Sequence, residues 1–204
     1  MLAPEMISEL DKTVFEKNGY LILDDFISSQ ELSQIRTDFE SIRIAGRFKR
    51  AGIGKGVDFH LNDEVRLDET HWLEPTSLSP AQKIFWPRLE NLKHELNQHF
   101  FLGLWDFEGH YSYYPPGGKY QPHFDRFSKD DARTISMVLY FNDDWKNSDG
   151  GELRIHPKDP ARPPLDIAPM GGRLIFFNSA DTMHEVLTTQ RCRLSFAGWW
   201  KRRK

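Results

Sequence analysis

One cysteine, Cys192, is all that the 204 residues contain, so the chain cannot close a disulfide within itself or build a cysteine-rich zinc site. The expectation is a reducing, cytoplasmic setting. No apolar run approaches the ~18 residues of a membrane span. The opening stretch, MLAPEMISELDK, carries acids where a secretory leader needs a basic region and then an apolar one. No membrane association is expected. A surplus of either charge is also missing: 27 Lys and Arg stand against 30 Asp and Glu, a net charge of −3. That balance disfavours a nucleic-acid binder in spite of the four cationic residues 201–204. Repeats and low-complexity tracts are absent too. Aromatic side chains are plentiful, 13% of residues with 15 Phe and 6 Trp, which is too many for disorder and suits a well-packed, β-rich interior.

The first hundred residues read mainly as helix. Leu10, Val14 and Phe15 share one face of a first helix that stops at Asn18-Gly19, a left-handed terminus. YLILDDF, residues 20–26, reads as a short buried strand. Ser28 or Ser29 caps a second helix in which Leu32, Ile35, Phe39 and Ile42 recur at helical spacing, with Glu31 near its positive end. Ser79-Pro80 opens a third that runs to about Phe100, with Ile84, Phe85, Leu89, Leu92 and Leu96 on one side. Residues 46–70 keep no period, and Gly46, Gly52, Gly54 and Gly56 among charges predict a long irregular loop of the functional kind. From about residue 107 the period changes to two. Strands are predicted at 107–114, 120–125, 134–141, 152–156, 165–168, 173–178, 184–188 and 193–200, divided by turns such as Pro115-Pro116-Gly117-Gly118. Eight short strands predict a mainly β fold, a sandwich or jelly roll with helices packed on one face. No linker is visible, so a single domain over 1–204 is expected.

His123 and Asp125 stand two apart on a predicted strand and so share a face. A His-x-Asp pair by itself is more often a hydrogen-bonded core histidine than a ligand. A second histidine, His184, opens a later strand. Two imidazoles and one carboxylate on one face of a metal leave three positions open, the facial arrangement of non-haem Fe(II) oxygenases. Those positions suit a chelating 2-oxo acid and dioxygen, whereas zinc prefers a closed tetrahedron and hard cations prefer more oxygen ligands. Arg193 falls on the next predicted strand, in the aromatic run RLSFAGWW. A buried guanidinium without a partner is penalised by on the order of several kcal/mol. Its anion is either the distal carboxylate of 2-oxoglutarate or an Asp or Glu of the chain.

HFD, the His184 and Arg193 spacing, the approach YYPPGGKYQPHFD, the pair RTISMVLYFNDDW and GGELRIH, and VRLDETHWLE agree in order. Together they resemble the Fe(II)/2-oxoglutarate-dependent dioxygenases of the prolyl-4-hydroxylase group, in particular the hypoxia-inducible-factor prolyl hydroxylases and their bacterial relatives, over roughly residues 46–202. The resemblance implies a double-stranded β-helix core over 107–202, with one sheet supported by the helices of 1–100. It implies Fe(II) on His123, Asp125 and His184, and the distal carboxylate of 2-oxoglutarate on Arg193 and Tyr140. Tyr114 matches the tyrosine that contacts the cosubstrate near the metal, with Tyr113 as an alternative because the following turn is one residue shorter than in the animal enzymes. Trp199 matches an aromatic lining the substrate entrance. Arg66, Asp68, Trp72 and Glu74 match positions that anchor a substrate-covering loop, here 46–70.

The implied reaction couples decarboxylation of 2-oxoglutarate, with release of succinate and carbon dioxide, to hydroxylation of a prolyl residue in a protein, with ascorbate as reductant. For bacterial relatives the resemblance implies a translation factor such as elongation factor Tu as partner. His60, His71, His94, His99, His110 and His156 fit no ligand spacing and read as structural or surface residues. Two other readings stand beside this one: the same chemistry on a free amino acid or other small molecule, and a jelly-roll binding module whose metal is structural. A nucleic-acid demethylase on the same core lacks an evident basic groove.

Overall fold

The computed structural model describes residues 5–53, 60–126 and 132–203. Three helices have local causes that the sequence shows. At α1 (Glu9–Asn18), Ser8 Oγ accepts from the Asp11 N–H at 3.2 Å while the Asp11 carboxylate accepts from the Ser8 N–H at 2.8 Å. Gly19, at φ 74°, ends the helix. The cap of α2 (Ser29–Ile44) is Ser28, again with a reciprocal partner, Glu31. The third helix, α3 (Gln82–Phe100), starts two residues inside the predicted Ser79-Pro80 signature. Ser79 and Gln82 still exchange bonds of 3.2 and 3.0 Å, so the capping chemistry is present one turn ahead of regular helix.

One helical face differs from expectation. Leu10 is 73% exposed, while Lys12 and Phe15 are buried. Phe15 packs on Phe100 and Phe176, and Leu10 stands roughly 140° around the helix from it, away from the core. Lys12 is tolerated in the wall because its ammonium meets Glu9 at 2.5 Å and Glu5 at 3.5 Å.

Glu31 also ties α2 to α3, since its carboxylate accepts from the Arg88 guanidinium as well as from Ser28 N–H and Oγ. The bond from Arg88 draws its pKa from 4.5 to about 2. A carboxyl depressed in the folded state contributes stability that is present above 4.5 and is lost as pH falls towards 2. Glu31→Gln keeps the capping acceptor but removes the charge that meets Arg88, so it is expected to lower stability at neutral pH by up to about 1 kcal/mol, the scale of a partly exposed ion pair, and to flatten the acid limb in that window. Urea unfolding across pH measures both.

Among the described residues eleven strands form two antiparallel sheets. The larger runs β1 (Tyr20–Leu23), β9 (Leu174–Asn178), β6 (Arg133–Tyr140), β11 (Arg193–Arg202), β4 (Leu104–Tyr114), β3 (Glu69–Trp72), β2 (Lys49–Arg50). The smaller runs β5 (Tyr120–His123), β10 (Met183–Val186), β7 (Leu153–His156), β8 (Leu165–Ile167). Every predicted strand is found, with shifted ends; β1 stops at Leu23, and the chain then turns through Asp25 at φ 55°. Two strands correct the expected loop 46–70: β2 lies inside it and β3 starts at its end. Lys49 and Arg50 are both exposed at a sheet edge, so neither shows the apolar alternation that marks a half-buried strand. Residues 54–59 of that loop lie outside the described residues.

The pleat of the large sheet separates two cores. Leu194, Phe196 and Trp200 of β11, with Phe107 and Tyr111 of β4, face Phe39, Phe85 and Leu89 of the helices. Gly109 is required on that face of β4, because a Cβ there would lie 2.2 Å from the Phe196 ring. Tyr114, Tyr140, Ile175 and Phe177 point the other way, into the space closed by Leu153, Ile155 and Val186 of the small sheet. This is the expected double-stranded β-helix, with helices supporting one sheet.

Candidate active site

A cavity of about 890 Å³ opens between the sheets, and His123, Asp125 and His184 meet in its wall. The two histidines come from neighbouring strands: His123 on β5 stands directly opposite His184 on β10. Asp125 differs from the prediction, because β5 ends at His123 and the aspartate sits two residues beyond it in a bend. A turn of the backbone, not the pleat, brings its carboxylate round, while Phe124 is 44% exposed. Its oxygens then lie 3.7 Å from His123 Nε2 and 3.6 Å from His184 Nε2, and the three candidate donor atoms are all within 4.8 Å of one another.

The hydrogen bonds fix what these atoms can do. His123 Nδ1 is 2.8 Å from the Gln121 carbonyl and His184 Nδ1 is 3.1 Å from the Thr182 carbonyl. A carbonyl only accepts, so each Nδ1 carries a proton, and Nε2 is the ring atom left to meet a metal. Burial drives the His184 pKa from 6.5 down to about 4, against the pull of Asp125, which keeps its ring neutral at neutral pH. Burial would raise the Asp125 carboxyl, but the adjoining His184 and His123 outweigh it and hold the group below the usual carboxylate range. Two imidazole nitrogens and an anion thus face one another, a donor set that fits a cation with open coordination positions.

Arg193 is 1% exposed, with Nε donating to the Gly151 carbonyl at 2.8 Å and Nη1 to Ser195 Oγ at 3.3 Å. Both partners are neutral. Among the described residues its Nη2 has no hydrogen-bond partner, nor has the buried Tyr140 hydroxyl, and the guanidinium lies 5.0 Å from the ring centres of Tyr114 and Tyr140. Among the same residues no Asp or Glu pairs with Arg193. A buried cation and a buried hydroxyl aimed at the same space, both unsatisfied, fit an added carboxylate.

Tyr114 lies beside Arg193 across the β4–β11 ladder and lines the cavity, whereas Tyr113 faces the other side of the sheet, its hydroxyl 3.1 Å from Cys192 Sγ. The alternation excludes Tyr113 from the cavity. Trp199 lines it as well, under the Arg133 guanidinium at 3.6 Å and 6.0 Å from Trp72. Arg66 is in the wall, while Asp68 is wholly buried and meets the cavity through Arg66, to which it is bonded at 2.6 and 3.0 Å. Glu74 is exposed and borders a separate cleft of about 380 Å³.

His71 and His110, expected as structural or surface residues, line the cavity, as do Tyr120 and Arg133. For His110 the signal was available: it lies on β4 four residues before Tyr114, so the period of two places both on one face, with Ser112 between them. His110 is 3% exposed, and burial, aided by the positive charge of Arg66, lowers its pKa to about 3.

Residues 109–201 match a family model described as the 2OG-Fe(II) oxygenase superfamily. A prolyl-4-hydroxylase of Pseudomonas putida is 32% identical in a superposition that covers 96% of this chain and 98% of that one, with a TM-score of 0.84. This chain belongs to the 2OG-Fe(II) oxygenase family. A hypoxia-inducible factor prolyl hydroxylase of Caenorhabditis elegans is 27% identical to the oxygenase over 89% of the present chain and 26% of its own length. Egl nine homolog 1 of Homo sapiens is 26% identical over 90% and 44%. The oxygenase therefore spans about a quarter to a half of these two relatives. A Trichoplax adhaerens prolyl hydroxylase, in complex with a peptide fragment of the hypoxia inducible factor oxygen degradation domain, shares the fold at a TM-score of 0.84 with 20% identity, covering 94% of this chain and 87% of that one. Membership implies Fe(II) and 2-oxoglutarate as the oxygenase's cofactors.

Proposed function

We propose that this chain hydroxylates a prolyl residue within a protein, with His123, Asp125 and His184 holding Fe(II), and Arg193 with Tyr140 holding the distal carboxylate of 2-oxoglutarate. The observation that carries the reading is the pair of unsatisfied buried groups, Arg193 Nη2 and Tyr140 Oη, in one enclosure with the His–Asp–His cluster. When bound, iron and 2-oxoglutarate would activate dioxygen, one oxygen atom going into succinate as carbon dioxide leaves and the other into a substrate C–H bond. The chain's own contribution is geometry and dryness. The protonated Nδ1 atoms keep both Nε2 atoms directed at the metal, and Arg193 Nη2 with the Tyr140 hydroxyl fixes the orientation of the 2-oxo acid through its distal carboxylate. Val138, Leu153 and Val186 line the cavity with hydrocarbon, and Trp72 and Trp199 offer flat faces against a pyrrolidine ring.

The peptide form of the substrate is supported by the named activities of the relatives and by Arg47, Lys49 and Arg50 in the cavity wall, donors suited to the carbonyls of an extended chain. A translation factor such as elongation factor Tu is the first protein to test. The one cysteine supports a cytoplasmic setting, and the core shared by helices and large sheet supports one domain. Succinate release with Fe(II) and ascorbate, measured on proline-containing proteins and peptides against free proline, decides the substrate class. The expected result is turnover with peptide and a gain of one oxygen on a prolyl residue by mass spectrometry. Faster turnover of free proline would overturn the reading.

A further inference from the structure

His123 and His184 are secured differently. His184 is 4% exposed, on a strand bonded on both sides, with Phe177 packed 4.6 Å from its ring. His123 lies on β5, which has only β10 as a ladder neighbour within its sheet. What holds its other side is the segment 64–68, near the end of the loop 46–70.

Two separate links run from that segment to the imidazole. Through the first, the Gln121 N–H donates to the Val65 carbonyl and the Gln121 side-chain amide to the Glu64 carbonyl, both at 2.9 Å. The Gln121 carbonyl is the acceptor for His123 Nδ1. The second is a stack. The Asp68 carboxylate grips the Arg66 guanidinium at two points, the guanidinium lies 4.5 Å over the Tyr120 ring, and that ring lies 3.6 Å from the His123 imidazole at 19°, nearly parallel. Asp68 is fully buried and Arg66 16% exposed, so neither moves without breaking a desolvated ion pair. Ring orientation at a metal-bound histidine is set by such outer contacts.

We propose that Arg66 and Asp68 are positioning residues for the metal ligand His123, acting through the Tyr120 ring. The inference rests on the metal-centre reading above. It makes the root of the loop and one iron ligand a single mechanical unit, so that whatever displaces residues 64–68 turns the His123 imidazole.

Mn(II) binding to the full chain, followed by the EPR signal of the free ion, tests this without turnover. Asp68→Asn and Tyr120→Leu are each expected to weaken Mn(II) binding about tenfold, the lower end of what outer contacts to metal ligands are worth. Tyr120→Phe retains the stack and is expected to stay within about twofold of the parent chain. Because the two substitutions cut one path, the double variant is expected to lose no more than the weaker-binding single. The Co(II) absorption spectrum should change in the two damaging variants and not in Tyr120→Phe, a difference that general loss of stability does not produce. Tyr120→Leu keeps the ion pair, so the stack remains testable if Asp68→Asn does not fold. Parent-like Mn(II) affinity and Co(II) spectra in a folded Tyr120→Leu, or additive losses in the double variant, would overturn the relay alone. A parent chain that binds neither ion would overturn the metal centre and the relay with it.

Discussion

Asp125→Ala is expected to abolish succinate release while leaving the chain folded. The carboxylate supplies the only negative charge in the His123–Asp125–His184 cluster, and each imidazole commits its Nδ1 proton to a carbonyl. Without it a divalent cation keeps two ligands on a face built for three. The loss should exceed the ~100-fold that removing an outer contact can cause. The fold should survive, because Asp125 lies in a bend beyond β5, outside the sheet ladders. Succinate release, Mn(II) binding and far-UV circular dichroism together check the claim. Full activity would remove Asp125 from the metal site.

The second large effect is at Arg193. Arg193→Met should raise the KM for 2-oxoglutarate by roughly ten- to a hundredfold, the loss of charge-assisted hydrogen bonds worth about 1.5–3 kcal/mol, with a smaller change in kcat. Thermal unfolding gives an independent reading. Among the described residues the buried cation meets no counter-charge, so added 2-oxoglutarate should raise Tm by binding the folded state alone. In Arg193→Met that shift should vanish, and the ligand-free variant should melt no lower than the parent, because a nonpolar chain of similar length replaces an unpaired charge. An unchanged KM and an unchanged ligand-induced shift would assign the anion elsewhere.

Much of this site was legible because strand periodicity is short and rigid. Arg193, Ser195, Ala197 and Trp199 face the cavity for the same reason that Leu194, Phe196 and Trp200 face the helices, and a period of two separates the sets without knowledge of the fold. Where the reading failed, something other than periodicity decided. Asp125 is placed by a bend. β2 and β3 form because β4 offers a free edge, a property of the assembled sheet that no local pattern in KR or ETHW announces. Leu10 was set on the buried face although α1 turns Phe15 inward, a rotation chosen by Phe100 and Phe176, distant in sequence. Arg133 was passed over because a cation near the end of a strand reads as solvated, whereas this one is bonded to Glu108 and lies flat on Trp199.

The antiparallel pair β5–β10 brings one of the two proposed histidine ligands to each of two adjoining strands, and β5 forms one border of the small sheet. A divalent ion between them acts as a staple across that border. Depletion of iron should then be felt first as fraying of residues 120–126, with amide exchange and protease nicking concentrated there, while the helix-backed sheet stays closed. The chain would carry in its own backbone a physical record of whether it is charged with metal, before any substrate arrives.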